Sequence, residues 1–237
     1  MATSVGSGMR QSRQRFDANG WILVVAAALT LALASWMSNI TTVAQLSGEA
    51  DRLLAFRFTI SMLANSGTVW AGLAILSGWF VRRPAQAAVA GIVGSELSLA
   101  AHYAAGRLSG MFDATIWDEN SFWFLMGLVL GGPLGLIGAA ARRSDAWGLF
   151  ARLVVPVGAL IEPIFVGLFS VPPMLPWPQR FASAVCGTTL MAGGVLGAVM
   201  ILRLYKRNAG SPEAHLPPES RRLSSNKASD ADTVERW

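Results

Sequence analysis

Six stretches of this chain are each apolar and long enough to read as membrane-crossing helices. That requirement narrows the possible folds more than any motif does. A helix needs roughly 20 residues to cross ~30 Å of hydrocarbon. In lipid the backbone N–H and C=O groups must be satisfied within the segment, which leaves packed helices as the form such continuous apolar runs can take. The runs fall at about 20–37 (GWILVVAAALTLALASWM), 58–81 (FTISMLANSGTVWAGLAILSGWFV), 85–106, 121–141 (SFWFLMGLVLGGPLGLIGAAA), 147–170 and 181–204.

Composition agrees. The 237 residues are 53% hydrophobic and 14% charged, with a mean hydropathy of +0.45, well above that of a soluble domain. The expected fold class is all-α: a polytopic transmembrane helix bundle of about six spans over residues 20–205, with both termini cytoplasmic. Residues 1–19 are expected to be a disordered cytoplasmic N-terminus. Residues 206–237, rich in Ser, Pro and mixed charge without an apolar period, are expected to be a disordered cytoplasmic tail, because such a segment buries too little to offset its ordering entropy.

Basic residues set the direction. Arg10, Arg13, Arg15, Arg82, Arg83, Arg142, Arg143, Arg203, Lys206 and Arg207 fall on one side of a six-span chain; Arg52, Arg57, Arg107 and Arg180 fall on the other. Ten against four puts both ends inside a bacterial-type plasma membrane. This placement also explains the pI of 10.3 without nucleic acid, since the cations sit at helix ends and form no basic stripe. Trp21 and Trp36 bracket the first run, as interfacial tryptophans do, whereas Trp70 lies deeper and reads as a packing residue. A competing reading of the amino terminus is a signal peptide cleaved after Ala34; the apolar run continues through Trp36 and Met37 and favours an uncleaved span.

Small residues at four-residue spacing mark the expected helix contacts. Gly127, Gly131 and Gly135 share one face of the fourth run, and Gly193 and Gly197 repeat the device in the sixth. Pro133, Pro156 and Pro163 fall inside the fourth and fifth runs, where each removes a backbone hydrogen bond.

Ionisable groups inside a span are costly, ~2.5–3.5 kcal/mol on insertion scales, and usually face the bundle interior. The set here is Glu96 and His102 in the third run and Arg152 and Glu162 in the fifth, with the amide of Asn65 in the second. Arg152, one turn from the inner surface, can snorkel, and His102 near the outer end is expected in the interfacial layer. Two readings of Asn65, Glu96 and Glu162 stand side by side. In one they line an outward-facing cavity that binds a polar or cationic small molecule or relays protons. In the other they hydrogen-bond across helices as structural glue.

Motifs for catalysis are missing from the sequence. There is no H-E-x-x-H, no phosphate-loop or dinucleotide fingerprint, and one cysteine with two histidines builds neither a redox pair nor a usual zinc site. No enzymatic activity, cofactor or metal is expected. The partners expected are the lipid bilayer, a small-molecule ligand, and a membrane protein or second copy meeting the glycine-spaced face.

The stretch NSGTVWAGLAILSGWFVRRPAQAAVAGIVGSELSLAAHYAAG (65–106), followed by GGPLGLIGAAARR (131–143), resembles small bacterial integral membrane proteins catalogued as a domain of unknown function. The shared features are N-S-G-x-x-W at the second span, a basic-Pro turn, Y-x-A-x closing the third span and a Gly-Pro fourth span. The resemblance covers roughly 20–205 and implies no activity. The chain is also similar, more faintly, to the six-span substrate-binding subunits of energy-coupling vitamin transporters. For those, an alanine-spaced first helix serves docking, hinted at here by Ala28 and Ala32. Two functions are therefore expected as alternatives: a small-molecule binding or transport subunit, or a non-transporting membrane scaffold packing through Gly127, Gly131 and Gly135.

Overall fold

The computed structural model of the chain describes residues 5–209, with side chains from 18 to 207 apart from Leu46. It is all-helical, with no strand among those residues. The helices are α1 (Val5–Ser38), α2 (Val43–Leu46), α3 (Asp51–Ala64), α4 (Gly67–Phe80), α5 (Pro84–Leu108), α6 (Ile116–Glu119), α7 (Ser121–Ala140), α8 (Ala146–Phe165) and α9 (Trp177–Ala209). Four are long and apolar enough to cross a bilayer: α1 over Ala18–Ser38, α7, α8, and α9 over Trp177–Arg207. Helices α3 and α4 reach that standard only as a pair, bent by 43°, which brings the candidates to five.

The bend corrects the expectation of one continuous span over 58–81. Asn65 ends α3, and Ser66 starts α4 from extended backbone with its hydroxyl accepting from the Val69 N–H. A serine in that conformation caps a new helix and does not continue the old one. The apolar residues on either side hid this boundary.

Helix α5 has the length of a span, yet Gln86, Glu96, His102 and Arg107 lower its hydropathy. Its position accounts for that composition. It packs against α7, α1 and α4 and buries small or polar side chains such as Ala87, Ala90, Ser95 and Ser98. A helix surrounded by protein needs no apolar perimeter.

Three ends differ from expectation. Residues 5–19 belong to α1, where a disordered terminus was expected; extending a helix already formed needs no new nucleus, and no proline intervenes. Helix α8 stops at Phe165 instead of near 170. There the Gly167 N–H bonds the Ile164 carbonyl and the Leu168 N–H bonds Pro163, a C-terminal motif that needs the left-handed φ of +74° at Gly167. Helix α9 carries four residues of the expected tail, 206–209; residues 1–4 and the remainder of the tail lie outside those described.

Val24, Ala28, Ala32 and Ser35 form one buried stripe of α1, and Val24 packs with Val81 and Ala90 beneath Trp21 and Phe80. Ala28 and Ala32 thus face the bundle, so the alanine-spaced face offers no docking surface of the vitamin-transporter kind.

Arginines close the helix ends. Arg57 donates to the Ser38 carbonyl at 3.1 Å, Arg142 to Trp79 at 2.6 Å, and Arg152 to Ala141 at 2.7 Å and Arg143 at 2.6 Å. Each satisfies a terminal carbonyl and opposes the negative end of a helix dipole. Arg152 therefore caps the end of α7 and reaches beyond it to the exposed carbonyl of Arg143.

At the start of α8, Asp145 accepts from Arg143 Nε at 2.9 Å and from the Gly148 N–H at 3.0 Å. The Arg143 guanidinium, and then the Gly148 N–H, hold its carboxyl at about 2 against an ordinary 3.8. A carboxyl depressed on folding stabilises the fold above its unfolded pKa and ceases to do so as pH falls through the folded one. Stability between about pH 4 and pH 2 should therefore decline less steeply in Asp145→Ala than in the wild type; acid unfolding followed by circular dichroism checks this, and parallel curves would refute it.

Candidate binding cavity

The break between α3 and α4 leaves backbone groups to satisfy. Gly67 N–H donates to Glu162 Oε1 at 2.6 Å and Thr68 N–H to Glu162 Oε2 at 2.8 Å. The next two N–H groups, of Val69 and Trp70, go to Ser66. With the Ser66 N–H on the Leu63 carbonyl, every orphan donor of the helix start thereby finds an acceptor. Glu162 is brought to this place from α8, 95 residues away, with Pro163 buried beside it. The carboxyl stands where a helix N-terminus favours negative charge, and both its oxygens are engaged.

Asn65 faces the other way across the break. Its Oδ1 accepts from Ser35 Oγ of α1 at 2.6 Å, and its Nδ2 donates to the Ser61 carbonyl at 2.9 Å. It fixes the end of α3 to α1 and still borders the cavity described next.

Between α4, α5 and α7 lies a cavity of about 370 Å³, within the usual range for small-molecule sites. Its walls include Trp70 and Ala71 from α4, Ser95, Leu99 and Tyr103 from α5, and Trp123, Met126, Gly127 and Leu130 from α7, with Asn65 and Gly67 at the break. Trp123 and Leu130 of its wall are about half exposed, at 55% and 50%. No Lys, Arg or His lines it.

Glu96 stands at the Gly127 wall. Its Oε1 is buried with no hydrogen-bond partner, and a Cβ added at Gly127 would strike that oxygen. A side chain at 127 would have to push the tip of Glu96 aside. Farther along the same glycine series, Gly131 abuts Gly91 and Ile92, and Gly135 abuts Ala87 of α5 while its carbonyl meets Gly78 of α4. On α9, Gly197 touches Pro156, but Gly193 has nothing within 4 Å, and its neighbour Gly194 makes the close approach to the Pro156 carbonyl.

His102 lies buried instead of in an interfacial layer. Its ring packs on Tyr103 at 5.1 Å and on Phe112 at 5.7 Å, with the Ala32 carbonyl of α1 beside it. Tyr103 also meets Trp117 and Phe124, so an aromatic cluster covers that end of the cavity. The loop from 109 folds back to supply Phe112 because Gly106 offers no side chain to block its ring; the left-handed φ of +73° at Gly110 permits the turn. Of the residues singled out from sequence, Asn65 lines the cavity, Glu96 adjoins it at Gly127, and Glu162 holds its rim through Gly67. Trp70, read from sequence as a packing residue, and Tyr103 and Trp123 were not assigned to a site. A tryptophan in the interior of an apolar run was the available signal for Trp70. Among the described residues no three His, Cys, Asp or Glu side chains are grouped to hold a metal ion.

The profile of one family, described as Family of unknown function (DUF6518), matches residues 54–192. That range contains the break, the cavity walls and Glu162. No curated protein and no solved structure matches the chain.

Proposed function

The chain belongs to the DUF6518 family of unknown function, and from its own geometry we propose that it is a membrane-embedded binding protein whose site is the cavity between α4, α5 and α7. The cavity itself is the observation that carries this reading. Bundles ordinarily pack to near-crystalline density, and an opening of this size with aromatic walls beside a broken helix is the usual form of a small-molecule site in membranes.

The topology behind the proposal has six crossings: α1, the bent α3–α4 pair, α5, α7, α8 and α9. An even number puts both termini on the side where Arg82, Arg83, Arg142 and Arg143 lie, the cytoplasmic face of a bacterial-type plasma membrane. The break and the cavity then fall in the outer half of the bilayer. Binding with or without translocation fits this arrangement, and no residue is assigned a chemical step.

A scaffold working through Gly127, Gly131 and Gly135 fits less well. Gly131 and Gly135 are already closed against α5, and a partner using them would have to pull α7 away.

Ala71→Phe tests the site. The new ring fills the cavity from α4, so small aromatic molecules that raise the thermal midpoint of the purified wild-type protein should lose that effect in the variant. A panel that stabilises both proteins alike, or neither, would end the proposal.

A further inference from the structure

We propose that the cavity takes a lipophilic organic cation, an ammonium or quaternary ammonium centre on a small apolar body, with Glu96 as its counter-charge. This rests on the reading of the cavity as a binding site and names the class of molecule it holds.

Three observations point to a cation. The first is Glu96 Oε1, buried and without a partner, directly behind Gly127 of the cavity wall. A buried acceptor left unmade is expensive, and a charged one more so. A cation in the cavity would stand across Gly127 from this carboxyl and balance its charge at short range without touching it.

The second is the aromatic lining. Trp70, Tyr103 and Trp123 come from three different helices to one cavity. The faces of such rings attract a cation, most strongly where water is excluded, and rings grouped around one centre are how quaternary ammonium ions are held. Met126 adds a soft, polarisable contact.

The third is the chain's own charges. No basic side chain lines the cavity. Arg142 and Arg152 are held on main-chain carbonyls at the opposite ends of α4 and α7. The one feature that would welcome an anion, the N-terminus of α4, already has Glu162 on its Gly67 and Thr68 N–H groups. Charge of one sign is thus left unmatched at the cavity, and it is negative.

The test compares two probes of the same shape, phenyltrimethylammonium and its neutral carbon analogue tert-butylbenzene. Binding to the full-length protein in lipid nanodiscs is read by tryptophan fluorescence and thermal midpoint. In the wild type the cation should bind at least about tenfold tighter than the neutral analogue. Glu96→Gln keeps the side-chain shape, and should weaken the cation at least about tenfold while leaving the neutral probe unchanged. Trp70→Leu, which removes a ring without touching the carboxyl, should weaken the cation more than the neutral probe, and it carries the comparison if Glu96→Gln does not fold.

Equal binding of the cation to wild type and Glu96→Gln would overturn the inference, as would a cation bound no tighter than its analogue. Should tert-butylbenzene bind and be displaced by Ala71→Phe while the cation does not bind, the cavity stands as a site and its cation specificity falls. If neither probe binds, both readings fall together.

Discussion

Replacing Glu162 with alanine is expected to destabilise the protein by about 2–4 kcal/mol, because two backbone donors lose their acceptors at once. The N–H groups of Gly67 and Thr68 have no other partner in the fold. Ser66 already serves Val69 and Trp70, through its hydroxyl and carbonyl. In the six-crossing arrangement proposed above the break meets little water, and an unsatisfied backbone group in hydrocarbon costs more than the same group at a soluble surface. Glu162→Gln separates the two bonds. Its amide oxygen can accept from one N–H while its NH2 cannot accept from the other, so roughly half the loss is expected. Thermal unfolding of the three proteins in one detergent would show the order wild type, Gln, Ala. If Glu162→Ala unfolds with the wild type, the carboxyl is not what holds the break.

The same contact shows where the sequence stops being informative. Apolar runs placed α5, α7, α8, α9 and the apolar part of α1 to within several residues, because hydrocarbon imposes a length and a composition on whatever crosses it. The break at Asn65–Ser66 was written as Asn-Ser-Gly, a turn signal by composition, but three polar or small residues barely dent an apolar run of that length. Glu162 could be recognised as an expensive residue and not as the cap of α4, since its partners lie in a helix distant in the chain. His102 shows a related limit. In a soluble protein a histidine near a helix end is usually wet, whereas α5 is enclosed by α1, α4 and α7, and its polar side chains face protein. Apolar periodicity cannot distinguish a neighbour helix from lipid, as both are apolar surroundings. The cavity was less legible still: Trp70, Tyr103 and Trp123 have no common spacing and meet only because of how α4, α5 and α7 are arranged.

Two glycines that look alike in sequence should respond in opposite ways to leucine. Gly135 and Gly193 each belong to a four-spaced series in an apolar helix. A Cβ at Gly135 would overlap the Ala87 carbonyl, and its backbone already meets Gly78 and Gly91, so the obstruction is main chain on two sides. Main chain cannot rotate aside as a side chain does, and Gly135→Leu is expected to cost about 3 kcal/mol or more, at or beyond the upper end for overpacked cores. Gly193 has nothing within 4 Å, and leucine there removes the backbone-entropy penalty of glycine, so Gly193→Leu should be neutral or stabilising by up to about 1 kcal/mol. Denaturation midpoints of the two variants, with size-exclusion profiles, decide the matter. Equal destabilisation would mean that α9 packs more closely than this structure has it. A Gly193→Leu protein that keeps its midpoint but loses an oligomeric form would instead identify the open face of α9 as the surface where another chain sits; the glycine face of α7 is closed against α4 and α5.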